Sequence, residues 1–399
     1  MPNSVRESVA SGQIVLPAFG CVRPGETASM AWAVVDASGR EIEPISAFLV
    51  DLSLSDISPL TLRSYGFDLL RWWRLLSLVR IEWDRASRAE AELLVGWMRH
   101  APNDQRRRSS ATAVSSGSVN LRTGKPTLRP GYAPSTINHA LTVVSAFYAF
   151  HGHFGRGPLL NPVPANARRR LLSSRGASET PAEYQRGPLR QRLADRRPRP
   201  IPDRLWNEML AAMGCHRDRA LLAFYVSSAA RASELLGLCG EHVDWAGQRI
   251  WVVSKGSRLL EQVPGSPDAF EYLACYFEEA GTPGIGEAVW RTRRGEQRPL
   301  TYAAMRRILQ RANDRLGTNW TLHDLRHTGA SRMVNDSTLT LVEVQSVLRH
   351  RRVASTQLYL HPDVEQLHDK LQEHFLRPRP QPTFSPGYDA ADFQTVFGG

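Results

Sequence analysis

Six residues in the second half of the chain bring side chains that phosphodiester chemistry uses, in the order Arg231, Lys255, His323, Arg326, His350 and Tyr359. Two arginines suit an anionic transition state, because a guanidinium is permanently charged and its forked donors match two phosphate oxygens at once. A tyrosine hydroxyl, with an ordinary pKa of about 10, becomes a nucleophile where nearby cations favour phenolate or a histidine accepts its proton. A lysine can protonate a leaving oxygen at accessible pH, whereas arginine holds its protons too tightly. His323 and His350 add hydrogen bonds to a phosphate or help move a proton.

Each stretch has a plainer reading when taken alone. Arg231-Ala-Ser-Glu234 sets a cation and an acid at i, i+3 in an apolar helical region, the pattern of a structural ion pair. His323-Asp-Leu-Arg326-His327 puts two histidines one helical turn apart, which invites a zinc reading. Arg326 between them would repel a cation, Asp324 stands where a zinc protease motif has Glu, and no third ligand is evident. Lys255 sits at a predicted hairpin turn, where lysines are usually solvated. Tyr359, nine residues after His350, would pass as a half-buried packing residue.

The elements that must position these groups follow from periodicity. Asp203 starts a helix with Leu205, Met209 and Leu210 on one face, and Ala220 to Gly237 reads as a second, strongly apolar helix. Gln248 to Val253 and Leu259 to Val263 read as short strands around a turn containing Gly256. Helices are expected again at Thr301 to Leu316, Leu322 to Val334 and Leu341 to Leu348. Earlier in the chain, Ser58-Pro59 opens a helix striped by Leu62, Tyr65, Leu69, Trp72, Trp73 and Leu76. Helices at Arg88 to His100 and from Pro134 onward complete a helical block. Residues 1–45 read as a small extension in which Met30 to Val35 and Arg40 to Ile42 pair as strands.

Composition narrows the partners. The chain has 399 residues, enough for two or three domains. Its formal charge is +11, and all but Lys125, Lys255 and Lys370 of its 50 basic residues are arginine. A chain this basic suits a polyanion, most commonly nucleic acid. No run reaches the roughly 18 apolar residues of a membrane helix. The N-terminus lacks a signal-peptide core, and the four scattered cysteines form no CxxC pair, so a reduced, cytoplasmic protein is expected. Residues 101–133 form a long loop opening with Arg106, Arg107 and Arg108. Residues 165–200 hold ten arginines against three acids and end in Arg-Pro-Arg-Pro-Ile-Pro202, an interdomain linker by composition.

The motifs ARASELLGL, VVSKGSR, LHDLRHTGAS and LRHRRVASTQLYLH, in this order, resemble the catalytic set of the tyrosine recombinase, or phage integrase, family. SPLTLRSYGFDLL and PSTINHALTVVSAFYAF resemble its core-binding region. The resemblance departs at two points: Ser227-Ser-Ala-Ala230 replaces a glycine-containing turn, and Arg349 stands where a glycine commonly precedes the closing histidine.

The resemblance implies a mainly α fold with a small β-sheet, an α+β catalytic domain preceded by a helical SAM-like core-binding domain. Its map is an extension at 1–45, core-binding domain at 46–164, linker at 165–200, catalytic domain at 201–370 and tail at 371–399. It implies DNA cleavage and rejoining through a 3′-phosphotyrosyl link, with no cofactor, metal ion or ATP. Arg231, Lys255, His323, Arg326, His350 and Tyr359 would be catalytic, with Glu234, Asp324 and His327 in support. Arg63, Arg106, Arg107, Arg108, Asn138 and Arg258 are candidate DNA contacts. The implied partners are double-stranded DNA at a specific site, further copies of the chain (a dimer per site, a tetramer in the synapse) and an accessory DNA-bending protein. Two rivals share the fold: a non-catalytic DNA-binding protein, and a type IB topoisomerase-like relaxase. A pure binder has no physical need for the whole set of six groups.

Overall fold

The computed structural model describes residues 3–26, 30–101, 118–126, 131–163, 187–193, 198–254, 258–350, 353–359 and 371–377. The chain divides into two compact units, residues 1–196 with 317–319 and residues 197–316 with 320–399. Both are mainly helical, with one small antiparallel sheet in each.

The first unit is built from α1 (Asn3–Ala10), β1 (Cys21–Pro24), β2 (Trp32–Val35), α2 (Glu43–Leu54), α3 (Pro59–Val79), α4 (Arg88–His100) and α5 (Pro134–His153). Proline stands in the first turn of α2, α3 and α5, where its missing N–H costs no intrahelical bond. Helix α4 opens on a capping box between Ser87 and Glu90. The predicted stripe of α3 faces inward: Leu62, Leu69, Trp72 and Leu76 are buried, and they meet Ile137, Leu141, Val144 and Phe147 of α5. The polar atoms of the buried Trp72 and Tyr148 side chains are paired, as burial favours. Trp72 Nε1 donates to Tyr148 Oη at 3.0 Å, and Tyr148 donates to the Trp83 carbonyl at 2.7 Å.

Three features of this unit differ from the sequence reading. Strand β2 pairs with β1, in register Cys21 with Val35, and the 40–42 segment contributes only a single bridge from Glu41 to Val35. Helices α1 and α2 were not expected. Val9, Leu16 and Val34 lie in the same core as α3 and α5, so these described parts of the expected extension are packed into the unit. The local signal was weak because these pieces bury single residues against distant helices. Within the predicted linker, residues 187–193 also pack on α5.

The second unit runs α6 (Asp203–Ala211), α7 (His216–Ser227), α8 (Ala232–Leu236), β3 (Val243–Asp244), β4 (Arg249–Val253), β5 (Leu260–Pro264), α9 (Pro267–Ala280), α10 (Tyr302–Leu316), α11 (Leu322–Asn335), α12 (Leu341–Leu348) and α13 (Val353–Gln357). The three strands form one antiparallel sheet in sequence order, and β4 alternates inward Ile250 and Val252 with outward neighbours. Helix α9 escaped the sequence reading although Ser266 caps it, accepting from the Ala269 N–H, with Pro267 in its first turn. One correction bears on function. The apolar run from Ala220 to Gly237 is two helices, not one. It breaks at Ala229, whose φ of 45° lies in the left-handed region, and α8 restarts with Arg231 as its N-cap.

Candidate active site

Helix α11 is the platform of the site. Thr321 caps it by a reciprocal box in which the Thr321 N–H and hydroxyl both donate to Asp324, at 2.7 and 2.8 Å. Asp324 thus fixes the start of α11. Gly329, one turn beyond Arg326, lets α11 approach α7: a Cβ there would lie 2.2 Å from the Val226 carbonyl oxygen. That approach brings Arg326 against the broken turn before α8. Its guanidinium donates to the carbonyls of Ala229 and, at 2.6 Å, Leu348, the last residue of α12. Arg326 is buried, and its pKa is pulled down to about 10 by that burial and by the neighbouring charges of Arg231 and Arg349.

Arg231 stands at the partly exposed edge of the same cluster. Its Nη1 donates to Glu234 Oε1 at 2.7 Å and its backbone N–H to Glu234 Oε2 at 2.8 Å. The ion pair expected from the sequence is therefore present. Glu234 has a second cation as well, since Arg349 Nη2 donates to its Oε2 at 2.7 Å. Burial alone would raise the Glu234 carboxyl, but Arg349 and the bonds from Arg231 outweigh it and hold it below the usual range.

His350 follows Arg349 in the turn that leaves α12. Arg326 Nη2 lies 3.3 Å from His350 Nε2, and Nδ1 lies 2.9 Å from Thr356 Oγ1. An arginine can only donate, so Nε2 accepts and the ring proton sits on Nδ1. Burial, then repulsion from Arg326, Arg231 and Arg349, drops this imidazole to about 4, which keeps it neutral. Tyr359, just past α13, packs against Ala229, Ala330, Val344 and Leu348 and is 6% exposed. Its hydroxyl is 2.8 Å from His327 Nδ1, and its ring stacks on His350 with centroids 6.4 Å apart. Burial raises the phenol's pKa while Arg326 opposes the rise. His323 is exposed, with its ring edge-on to His327 at 4.2 Å.

The structure thus gathers Arg231, Glu234, His323, Arg326, His327, His350 and Tyr359 within one unit. Lys255 lies outside the described residues, as do Arg106, Arg107 and Arg108. Val253 of β4 pairs with Leu260 of β5, and Arg258, just before β5, is exposed with a φ of 57°. In the other unit, exposed Arg63 lies over the Trp32 ring at 4.9 Å and near Phe67. Asn138 is committed internally: its side-chain amide donates to the Gln191 carbonyl at 2.9 Å and accepts from the Gln191 N–H at 2.7 Å. Asn138 was a candidate DNA contact, and here its amide ties Gln191 to α5. Arg349 and Thr356 were not among the expected site residues. The signal for Arg349 was its replacement of a family glycine. Thr356 had none, because its partner is set by a fold-level approach.

Among the described residues no group of three or more His, Cys, Asp and Glu side chains is placed to hold a metal ion. No helix among them is long and apolar enough to cross a membrane.

Comparison with known proteins gives the same direction from three sides. Residues 203–366 match the model of the phage integrase family. The tyrosine recombinase XerC of Pseudomonas entomophila is 38% identical over 155 residues, covering 38% of this chain and 50% of the relative. XerC of Azotobacter vinelandii is 27% identical over 240 residues, covering 59% and 73%. The chain spans about half the length of most of the curated relatives it matches. A lambda integrase dimer bound to a COC′ core site shares the fold with a TM-score of 0.53 at 14% identity, over 90% of this chain and 81% of that one. XerH bound to a palindromic difH substrate shares it at 0.51 and 14%, over 81% and 82%. Residues 203–366, which carry the ordered motifs and the buried cluster, are thus the part of this chain that is similar to the phage integrase family.

Proposed function

We propose that this protein is a site-specific DNA recombinase that cuts and rejoins strands through a 3′-phosphotyrosyl intermediate at Tyr359, serving integration, excision or transposition of a mobile element. The observation that carries the reading is the Tyr359 hydroxyl beside His327, in one cluster with the buried guanidinium of Arg326 and the imidazole of His350.

In this reading the Tyr359 oxygen attacks phosphorus and the bond to the 5′-oxygen breaks. Arg231 and Arg326 stabilise the charge that grows on the non-bridging oxygens. The 2.8 Å contact supports His327 as acceptor of the phenolic proton. Lys255 protonates the departing 5′-oxygen, and His323 and His350 hydrogen-bond the phosphate. The phosphotyrosyl ester keeps the energy of the bond it replaces, so the 5′-hydroxyl of another strand can displace Tyr359 without ATP. Residues 46–164 would bind DNA beside the catalytic domain at 201–370. A dimer on each site and a tetramer in the synapse, with an accessory DNA-bending protein, complete the proposal. In this reading the protein works in the cytoplasm, at the nucleoid, where its DNA substrate would lie.

The test is a set of nicked suicide duplexes built from the DNA flanking the protein's own gene. The wild type is expected to trap a covalent protein–DNA adduct and Tyr359→Phe none; an adduct that survives this substitution overturns the assignment. Relaxation of supercoiled plasmids lacking that DNA would instead favour a relaxase.

A further inference from the structure

Arg349 occupies a position that an arginine has no conformational reason to hold. Its φ of 52° lies in the left-handed region, where glycine is the unstrained residue, and it ends α12 as the C-cap. Its side chain is nevertheless almost fully buried, at 5% exposure, against a Glu234 carboxylate at 1%. Nη1 donates to the Val347 carbonyl at 2.7 Å and Nη2 to Glu234 at 2.7 Å. Burying a charge at a strained position has a cost, so the contact must be offset by something the site gains.

The gain is legible in the charges. With Glu234 alone, Arg231 would be one member of a closed ion pair, its charge cancelled before any phosphate arrived. Arg349 gives the carboxylate a second cation. Two guanidiniums, Arg231 and Arg349, then bind one carboxylate, and the charge of Arg326 is felt in the same cluster, which leaves it with an excess of positive charge. The same carboxylate still orients Arg231 through its Oε1.

We infer that Arg349 is a positioning residue for strand cleavage: by sharing Glu234 it keeps Arg231 aligned yet only partly neutralised, ready for the scissile phosphate. This rests on the cleavage reading given above. It predicts that what matters at 349 is charge, whereas a purely conformational role predicts that what matters is the backbone. Glycine separates the two, because it suits the left-handed turn better than arginine and removes the charge.

The experiment measures the single-turnover rate of covalent adduct formation on a saturating suicide duplex, with duplex affinity and thermal unfolding measured alongside. Removing a direct donor to a transition-state anion costs about 10²–10³-fold, and an indirect one less, so Arg349→Gly is expected to slow cleavage by about tenfold with affinity changed by no more than about twofold. Arg349→Lys, which restores a cation near Glu234, is expected to recover most of that loss. Should the glycine variant fail to fold, Arg349→Gln replaces it, with the same loss expected. A wild-type rate in the uncharged variant, or a lysine variant as slow as it, overturns the inference while leaving the cleavage reading intact. A wild-type protein that forms no adduct overturns the cleavage reading and the inference with it.

Discussion

Two buried carboxylates, one in each unit, use the same device to different ends. Asp68 of α3 is shared by Arg71, one turn along its own helix, and by His139 of α5 at 2.7 Å. Glu234 of α8 is shared by Arg231 at its own N-cap and by Arg349 beyond α12. Around Asp68 the cations are spent on structure: a third, Arg74, donates to the carbonyls of Phe19 and Gly20 and ties α3 to the segment before β1. Around Glu234 the groups crowd one another. Arg326 is pulled down to about 10 and His350 to about 4, each by burial first and then by neighbouring arginines. A paired cation says little about function; cations held close to each other, beside a tyrosine hydroxyl, say a good deal more.

The largest way to break this contrast is at Arg326. Arg326→Lys keeps the charge but loses the fork, and should lower the rate of adduct formation by about 10²–10³-fold, or about 3–4 kcal/mol of transition-state stabilisation. Single-turnover cleavage measures it; a loss under fivefold would place Arg326 with the structural cations. Next in size is Asp68. Asp68→Ala strands Arg71 and should cost about 2–4 kcal/mol of stability, read by urea unfolding, while the cleavage rate of the folded protein holds. A specific loss of cleavage there would erase the distinction between the two carboxylates.

A smaller effect concerns acid. The folded-state pKa of His350 lies below its unfolded value, at about 4 against about 6.5, so the unfolded chain binds the extra proton between those values. Stability from this neutral imidazole is therefore fully present above about pH 6.5 and is lost as pH falls towards 4. Its size is on the order of 2 kcal/mol, and His350→Gln should flatten that part of the stability–pH curve. Asp68→Ala should leave that arm in place. An unchanged slope in His350→Gln would mean that the imidazole is not the group being titrated.

How much of this was readable beforehand depended on whether the signal was local. Helices α4 and α12 match their expected ends because caps and periodicity are encoded within a few residues, as in Ser87 with Glu90 and Thr340 with Glu343. The break at Ala229 was not readable from the local pattern, and only the resemblance to a family turn at 227–230 pointed to it. Ser-Ser-Ala-Ala carries no glycine or proline, and the positive φ is imposed by α11 packing on the end of α7 through Gly329. The burial of Val9 and Leu16 was equally hidden, because each is a single apolar residue whose partner is far away in sequence.

The sequence by itself determined the chemical inventory: which groups can carry charge, which can lose a proton, and the order in which the chain presents them. Side-chain type and motif order are local properties, and through the family resemblance they sufficed to name Arg231, His323, Arg326, His350 and Tyr359 as candidates. Only the tertiary structure decided that Glu234 serves two arginines, that Tyr359 meets His327, and that Arg349 closes the cluster from 115 residues away. Those relations depend on burial and on distances between elements remote in the chain, and both are set by how the helices pack.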